Sequence, residues 1–81
     1  MLTVKILYFA GARDLVGLGE ERLPVDGGDV RAAVAAIVAR HPAIEERLPH
    51  LRFARNESFA GLDEPLGEGD VIAVIPPVAG G

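Results

Sequence analysis

Side chains able to carry chemistry are few in this sequence, and their spacing is poor for it. His41 and His50 are the only imidazoles among 81 residues. Each stands beside a proline at an expected helix or loop end, and neither has metal-ligand spacing to a partner. Both read as surface or capping residues. Glu20-Glu21 and Glu45-Glu46 set carboxylates side by side. Neighbours along a strand or helix point in different directions, so a solvated face is the better reading of both pairs. Ser58 is the only serine and lacks a partner arranged to activate it. Gly17-Leu18-Gly19 lacks the following helix and lysine of a phosphate loop. Cysteine is absent, which excludes disulfides, thiolate metal sites and cysteine nucleophiles. A chain with this inventory is not expected to be an enzyme on its own.

What remains is the end of the chain, which reads Pro76-Pro77-Val78-Ala79-Gly80-Gly81. Two terminal glycines alone would fit a frayed end, but their context says more. The apolar run ending at Ile75 leaves from the centre of the expected domain. Pro76 and Pro77 stiffen the exit toward a polyproline conformation, and beyond Val78 only alanine and glycine follow. Extended, residues 76–81 reach about 20 Å. Such an arm is thin and carries a carboxylate at its tip. That group is ionised at neutral pH, with an ordinary pKa of about 3.3–3.7. It is a poor electrophile, because attack pushes charge onto an anion. Adenylation by ATP would supply the missing leaving group. The glycines take any backbone conformation and thread a narrow active site without side-chain clash. The arm therefore reads as a substrate for another protein's chemistry, with the carboxylate of Gly81 as the reacting group.

The rest of the chain must hold that arm. Its 81 residues and 8.5 kDa allow one domain, and 49% hydrophobic residues can supply the dense core so short a chain needs. Leu2, Val4, Ile6 and Tyr8 alternate with Thr3 and Lys5, which predicts a strand over Leu2–Phe9. The alternation then fails: Leu7 and Phe9 fall on the Thr3/Lys5 face, so that face is either buried at this end or meets a partner. A loop follows from Gly11 to Gly19, with a helical turn over Ala12–Val16. Glu20–Val25 is a second strand, placed at a sheet edge because Pro24 cannot donate a ladder hydrogen bond. Asp29 is the expected N-cap of a helix whose stripe is Val30, Ala33, Val34, Ile37 and Val38. His41-Pro42 ends it. A short helix over Ala43–Leu48 is expected to close at Pro49. Strands are expected at Leu51–Arg55 and Phe59–Leu62, and a fully buried central strand at Val71–Ile75. This order predicts an α+β fold, a β-grasp (ubiquitin-like) arrangement of a mixed sheet with one main helix packed on one face. The first and last strands would pair in parallel at its centre. Residues 1–75 form the expected domain and 76–81 a flexible tail.

Several classes are set aside by composition. Net charge is −4, which argues against nucleic acid and against an anionic membrane surface. No apolar run approaches the roughly 20 residues of a spanning helix, and no signal-peptide pattern opens the chain. A cytoplasmic location is expected.

On these residues the sequence resembles the small-subunit family of molybdopterin synthase, the MoaD-type sulfur carriers. The opening ILYFAGARDLVG and the closing LDEPLGEGDVIAVIPPVAGG carry the resemblance, which extends over essentially the whole chain. Terminal Gly-Gly alone is common to many ubiquitin-like proteins. A Gly-Asp turn, an apolar strand and then Pro-Pro-Val-small-Gly-Gly are more specific. The resemblance implies that an E1-like adenylyltransferase uses ATP to adenylate Gly81, and that a sulfur-transfer protein contributes to its conversion into a thiocarboxylate. It implies insertion of the tail into the large synthase subunit and sulfur donation to cyclic pyranopterin monophosphate, within a heterotetramer whose catalytic side chains belong to the large subunit. No cofactor is expected on this chain itself. Gly80 and Gly81 match the reacting tail, and Pro76, Pro77, Val78 and Ala79 its exit. Phe9, Phe59 and Ile75 match partner-contacting positions, and Arg13 matches a basic loop position. Two departures stand out. Many relatives have aromatics just before the two prolines, where this chain has Val74 and Ile75. Many have Asn-Gly where it has Asn56-Glu57.

Other readings share the activated glycine. A ubiquitin-like modifier would pass Gly81 to a lysine amine instead of acquiring sulfur, although a single lysine, Lys5, leaves little scope for chains built on itself. A sulfur carrier for another pathway, such as thiamine, would have identical tail chemistry. A purely structural interaction domain would carry an inert tail.

Overall fold

The computed structural model describes residues 1–77. Within them the elements run β1 (Leu2–Tyr8), α1 (Ala10–Val16), β2 (Glu20–Val25), α2 (Val30–Arg40), a 3₁₀ helix (Pro42–His50), β3 (Arg52–Arg55), β4 (Ser58–Phe59) and β5 (Val71–Ile75). The strands form one mixed sheet in the order β2-β1-β5-β3-β4. β1 and β5 pair in parallel, from Lys5 opposite Val71 to Tyr8 opposite Val74; the remaining pairings are antiparallel. This is the predicted β-grasp. Pro24 sits on the edge strand β2, opposite Thr3, where its missing N–H leaves no ladder bond unmade.

Periodicity explains the core. Val4, Ile6 and Tyr8 of β1 are buried with Leu23 and Val25 of β2 and Ile72 and Val74 of β5. The stripe Val30, Ala33, Val34 and Ile37 of α2 closes over them, with Val38 at its margin. Each large aliphatic side chain so buried contributes roughly 1.5–3 kcal/mol. Ala12 of α1 and Ile44 of the 3₁₀ helix join the same cluster, so all helices lie on one face of the sheet.

Four free N–H groups open every α-helix, and in α2 those of Val30, Arg31 and Ala32 each find a partner. Asp29 is the N-cap, as predicted: its Oδ1 accepts from Ala32 N at 3.0 Å. Its backbone carbonyl accepts from Ala33 N, while Val30 N donates to Glu64 O (2.9 Å) and Arg31 N to Leu62 O (2.8 Å). That use of the loop carbonyls corrects the expected strand over Phe59–Leu62. Pairing stops at Phe59 because the following chain turns to cap α2 instead.

Other boundaries differ for equally local reasons. β1 stops at Tyr8, because Phe9 becomes the N-cap of α1, its carbonyl accepting from Ala12 N and Arg13 N. The 3₁₀ helix runs through Pro49: Leu51 N donates to Leu48 O at 3.1 Å, so its last turn bridges the proline without needing the absent N–H. β3 begins at Arg52, one residue later than expected. β5 is central but not buried on both faces. Ile72 and Val74 point into the core, while Val71 and Ile75 are only half-buried on a face no helix covers.

Candidate partner-docking face at the strand exit

Strand register lines up the uncovered face. Leu7 lies opposite Ala73, Ala73 opposite Ala54, and Ala54 opposite Phe59. Paired residues project to the same side of a sheet, so these four form a row across four strands. Small alanines in the middle and large side chains at the ends make the row concave. The resulting groove, about 270 Å³, is also lined by Phe9, Val71, Ile75 and Glu57. Phe9 is 46% exposed and Phe59 67% exposed. Contiguous exposed apolar surface of this kind marks interaction sites.

The failed alternation in the sequence is explained here. Leu7 and Phe9 share the open face, and nothing in the described residues covers them. Phe9 is turned outward by the backbone. Its N–H donates to Val74 O at 3.2 Å, and the next residue, Ala10, holds a left-handed φ of 47°. That conformation is costly for a residue with a Cβ and ends the strand sharply.

Ile75 is the last residue of β5 and lies on this face opposite Arg52. Pro76 and Pro77 leave from it and line a smaller cavity of about 170 Å³ with Leu15, Ile44, Arg47 and His50. Thus Phe9, Phe59 and Ile75 line one groove, whereas the exit prolines line the separate cavity. Arg13 is not part of the groove. It is exposed on α1, with its guanidinium beside Gly19, where an added Cβ would meet Nε at 3.6 Å. Val78, Ala79, Gly80 and Gly81 lie outside the described residues.

Ala54, Val71 and Ala73 were not read as site residues from the sequence, and Leu7 was marked only by its broken alternation. The available signal was phase: on each strand they alternate with the core positions. Which of two faces stays open depends on where the helices pack.

Two polar clusters hold the sheet ends. Glu21 was expected on a solvated face, but its side chain is only 9% exposed. The register puts Glu21 opposite Ile6 on the helix side. There Tyr8 Oη donates to Glu21 Oε2 at 2.6 Å, Arg40 Nε donates to Oε1 at 2.8 Å, and His41 Nε2 lies 2.6 Å from Oε2. Burial opposes the charge on Glu21, yet the hydrogen bonds from Tyr8, His41 and Arg40 outweigh it and hold its pKa below the usual range. The Tyr8 hydroxyl is pushed up, first by burial and then by its bond to Glu21. His41 does cap α2, its N–H donating to Ile37 O at 2.8 Å, but its ring packs edge-on to Tyr8 rather than standing in solvent. At the other end, Asp70 accepts from Gly67 N (2.7 Å), Asn56 Nδ2 (3.0 Å) and Arg55 Nη1 (3.3 Å). Among the described residues no group of three or more His, Asp or Glu side chains could hold a metal ion. No helix among them is long and apolar enough to cross a membrane.

Residues 6–81 match the ThiS family. The molybdopterin synthase sulfur carrier subunit of Chlamydomonas reinhardtii is 35% identical over 99% of this chain and 100% of that relative. The crystal structure of small archaeal modifier protein 1 from Haloferax volcanii superposes with a TM-score of 0.90 at 34% identity, covering 98% of this chain and 99% of that one. A chain of the complex of subunits 1 and 2 of the molybdopterin-converting factor from Helicobacter pylori covers 99% of this chain and 100% of its own, with a TM-score of 0.71 at 26% identity. With a β-grasp sheet, an open apolar face at the strand exit and relatives matched end to end, the chain belongs to the ThiS family, among the sulfur carrier subunits of molybdopterin synthase.

Proposed function

We propose that this chain is the sulfur donor of a molybdopterin synthase and carries its sulfur as a thiocarboxylate on Gly81. An E1-like partner joins the Gly81 carboxylate to the α-phosphate of ATP, and pyrophosphate leaves. Sulfur at the oxidation level of sulfide, supplied through a sulfur-transfer protein, displaces AMP from the acyl carbon. The thiocarboxylate sulfur then bonds to cyclic pyranopterin monophosphate in the large subunit, where the catalytic side chains reside, and water cleaves the acyl C–S bond, returning Gly81 as a carboxylate. Two sulfurs complete one dithiolene, so the carrier is exchanged or used twice. The chain binds no cofactor of its own. The domain is residues 1–75, the tail residues 76–81, and the setting is cytoplasmic.

One observation carries this reading. β5 ends at Ile75 on the rim of the uncovered apolar face, which sets the chain exit beside a surface suited to a partner. Similarity to the Helicobacter pylori two-subunit complex supports a large subunit as that partner. Tandem mass spectrometry of protein from its native cells tests the chemistry. The expected result is sulfur for oxygen at Gly81, localised away from Met1, whose oxidation has nearly the same mass. Deleting Gly81 is expected to abolish sulfur transfer while leaving the fold intact. Phe9→Asp or Phe59→Asp is expected to abolish complex formation with the large subunit, read by calorimetry; unchanged affinity would remove the docking face from the reading.

A second reading has an observation in its favour, the similarity to small archaeal modifier protein 1. There Gly81 would form an isopeptide bond with a lysine of another protein. Isopeptide-linked Gly81 with no thiocarboxylate would decide for it. A thiocarboxylate active only in another sulfur pathway, such as thiamine, would redirect the acceptor and leave the first two steps unchanged.

A further inference from the structure

A second groove lies on the other side of Phe59. It opens between α2, the 3₁₀ helix and the β3–β4 hairpin, and it holds about 480 Å³. Its walls are apolar: Val34, Leu48, Leu51, Phe53, Phe59 and Leu62, of which Phe59 is 67% and Leu62 40% exposed. Arg52 is the one charged residue lining it. The Arg52 guanidinium stands 5.7 Å from the centre of the Phe59 ring and has no carboxylate within ion-pair distance among the described residues.

Phe59 lines both this groove and the open face. Arg52 also links the two, being paired in register with Ile75 at the strand exit. The two surfaces are therefore continuous around the β4 edge. A partner that buries Phe59 on the open face reaches the mouth of the second groove within one side-chain length. The groove then offers that partner apolar walls and one cation. A guanidinium held over an aromatic ring keeps its in-plane donors free for a carboxylate, and withdrawal from water strengthens such a pair.

We propose that this groove receives an extended segment of the same large-subunit partner, seating an apolar side chain between Leu48, Leu51 and Leu62 and an aspartate or glutamate on Arg52. The inference rests on the docking face assigned above and extends it around the sheet edge. Full-length chain and purified large subunit test it by titration calorimetry. Leu62→Glu and Arg52→Glu are each expected to weaken the complex at least tenfold, with Arg52→Lys recovering part of the loss. The Arg52 effect should shrink as salt is raised, and thiocarboxylate formation should persist. Arg52 is exposed, so its variants keep the test open if Leu62→Glu fails to fold. Unchanged affinity in both variants, with Phe9→Asp still abolishing binding, would overturn the groove proposal and leave the docking face standing. Unchanged affinity in Phe9→Asp as well would remove both. If the wild-type chain self-associates, and Leu62→Glu abolishes that while large-subunit affinity is unaltered, the groove belongs to a second copy of this chain and the proposal fails.

Discussion

Glu57 holds a left-handed backbone conformation that suits glycine better than a residue with a side chain. Arg55 pairs with Ser58, so Asn56 and Glu57 alone make the hairpin turn. Both have left-handed φ values, 49° and 72°, the geometry of a type I′ turn. Asparagine tolerates that conformation, and Asn56 also ties the turn to β5, its Oδ1 accepting from Val71 N at 2.9 Å. Glutamate is poorly suited to it. Glu57→Gly is therefore expected to stabilise the domain by about 1 kcal/mol. Thermal unfolding would show a rise in Tm of about 4–8 °C, and a fall would mean that Glu57 makes a favourable contribution outweighing its backbone strain. Gly27 is the reverse case: with φ at 146° and a Cβ there only 2.7 Å from the Ala32 methyl, Gly27→Ala is expected to destabilise.

At the scale of elements, α2 is held at its start by the adjacent Asp29 side chain and the distant Leu62 and Glu64 carbonyls, and at its end by a side chain from β2. Asp29→Ala removes the bond to Ala32 N and should cost about 1 kcal/mol in chemical denaturation. At the C-terminal end, Glu21 on β2 gathers Tyr8 of β1 and the Arg40–His41 end of α2. This cluster gives the fold a pH dependence with a defined sign. The folded-state pKa of Glu21 is depressed, so its contribution is present above the unfolded carboxylate range and is lost as pH falls through the folded value. Asp70 acts in the same direction, its pKa lowered first by the Asn56 side chain and then by Gly67 N. Stability should therefore decline progressively below about pH 4.5. Tyr8 has the opposite sense. Its raised pKa favours the folded state below the ordinary tyrosine value, and that preference is lost as pH rises through the folded one. In urea titrations across pH, Glu21→Gln should flatten the acid limb; an unchanged limb would mean that other carboxylates set it.

Taken as a whole, the described residues form one helical layer on one face of a five-stranded sheet, and this asymmetry leaves the other face open. Truncating the shared core tests the layering: Ile37→Ala, at 0% exposure, should cost about 2–5 kcal/mol and weaken partner binding only through unfolding. The sequence by itself determined much of this. Alternation set the core face of β1, the stripe from Val30 to Ile37 set α2, Pro24 set the edge and Asp29 set the cap, because each is a local preference with one dominant outcome. It also marked Phe9 through broken alternation. Only the tertiary structure decided what Glu21 does, since adjacent carboxylates look alike until register sends Glu20 to the open face beside Lys5 and Glu21 to the helix side. It alone decided that β4 stops at Phe59, because the carbonyls of Leu62 and Glu64 are claimed by a helix start far away in the chain. It decided, too, that Leu7, Ala54, Ala73 and Phe59 share a groove, because a row across strands exists only after four strands have paired.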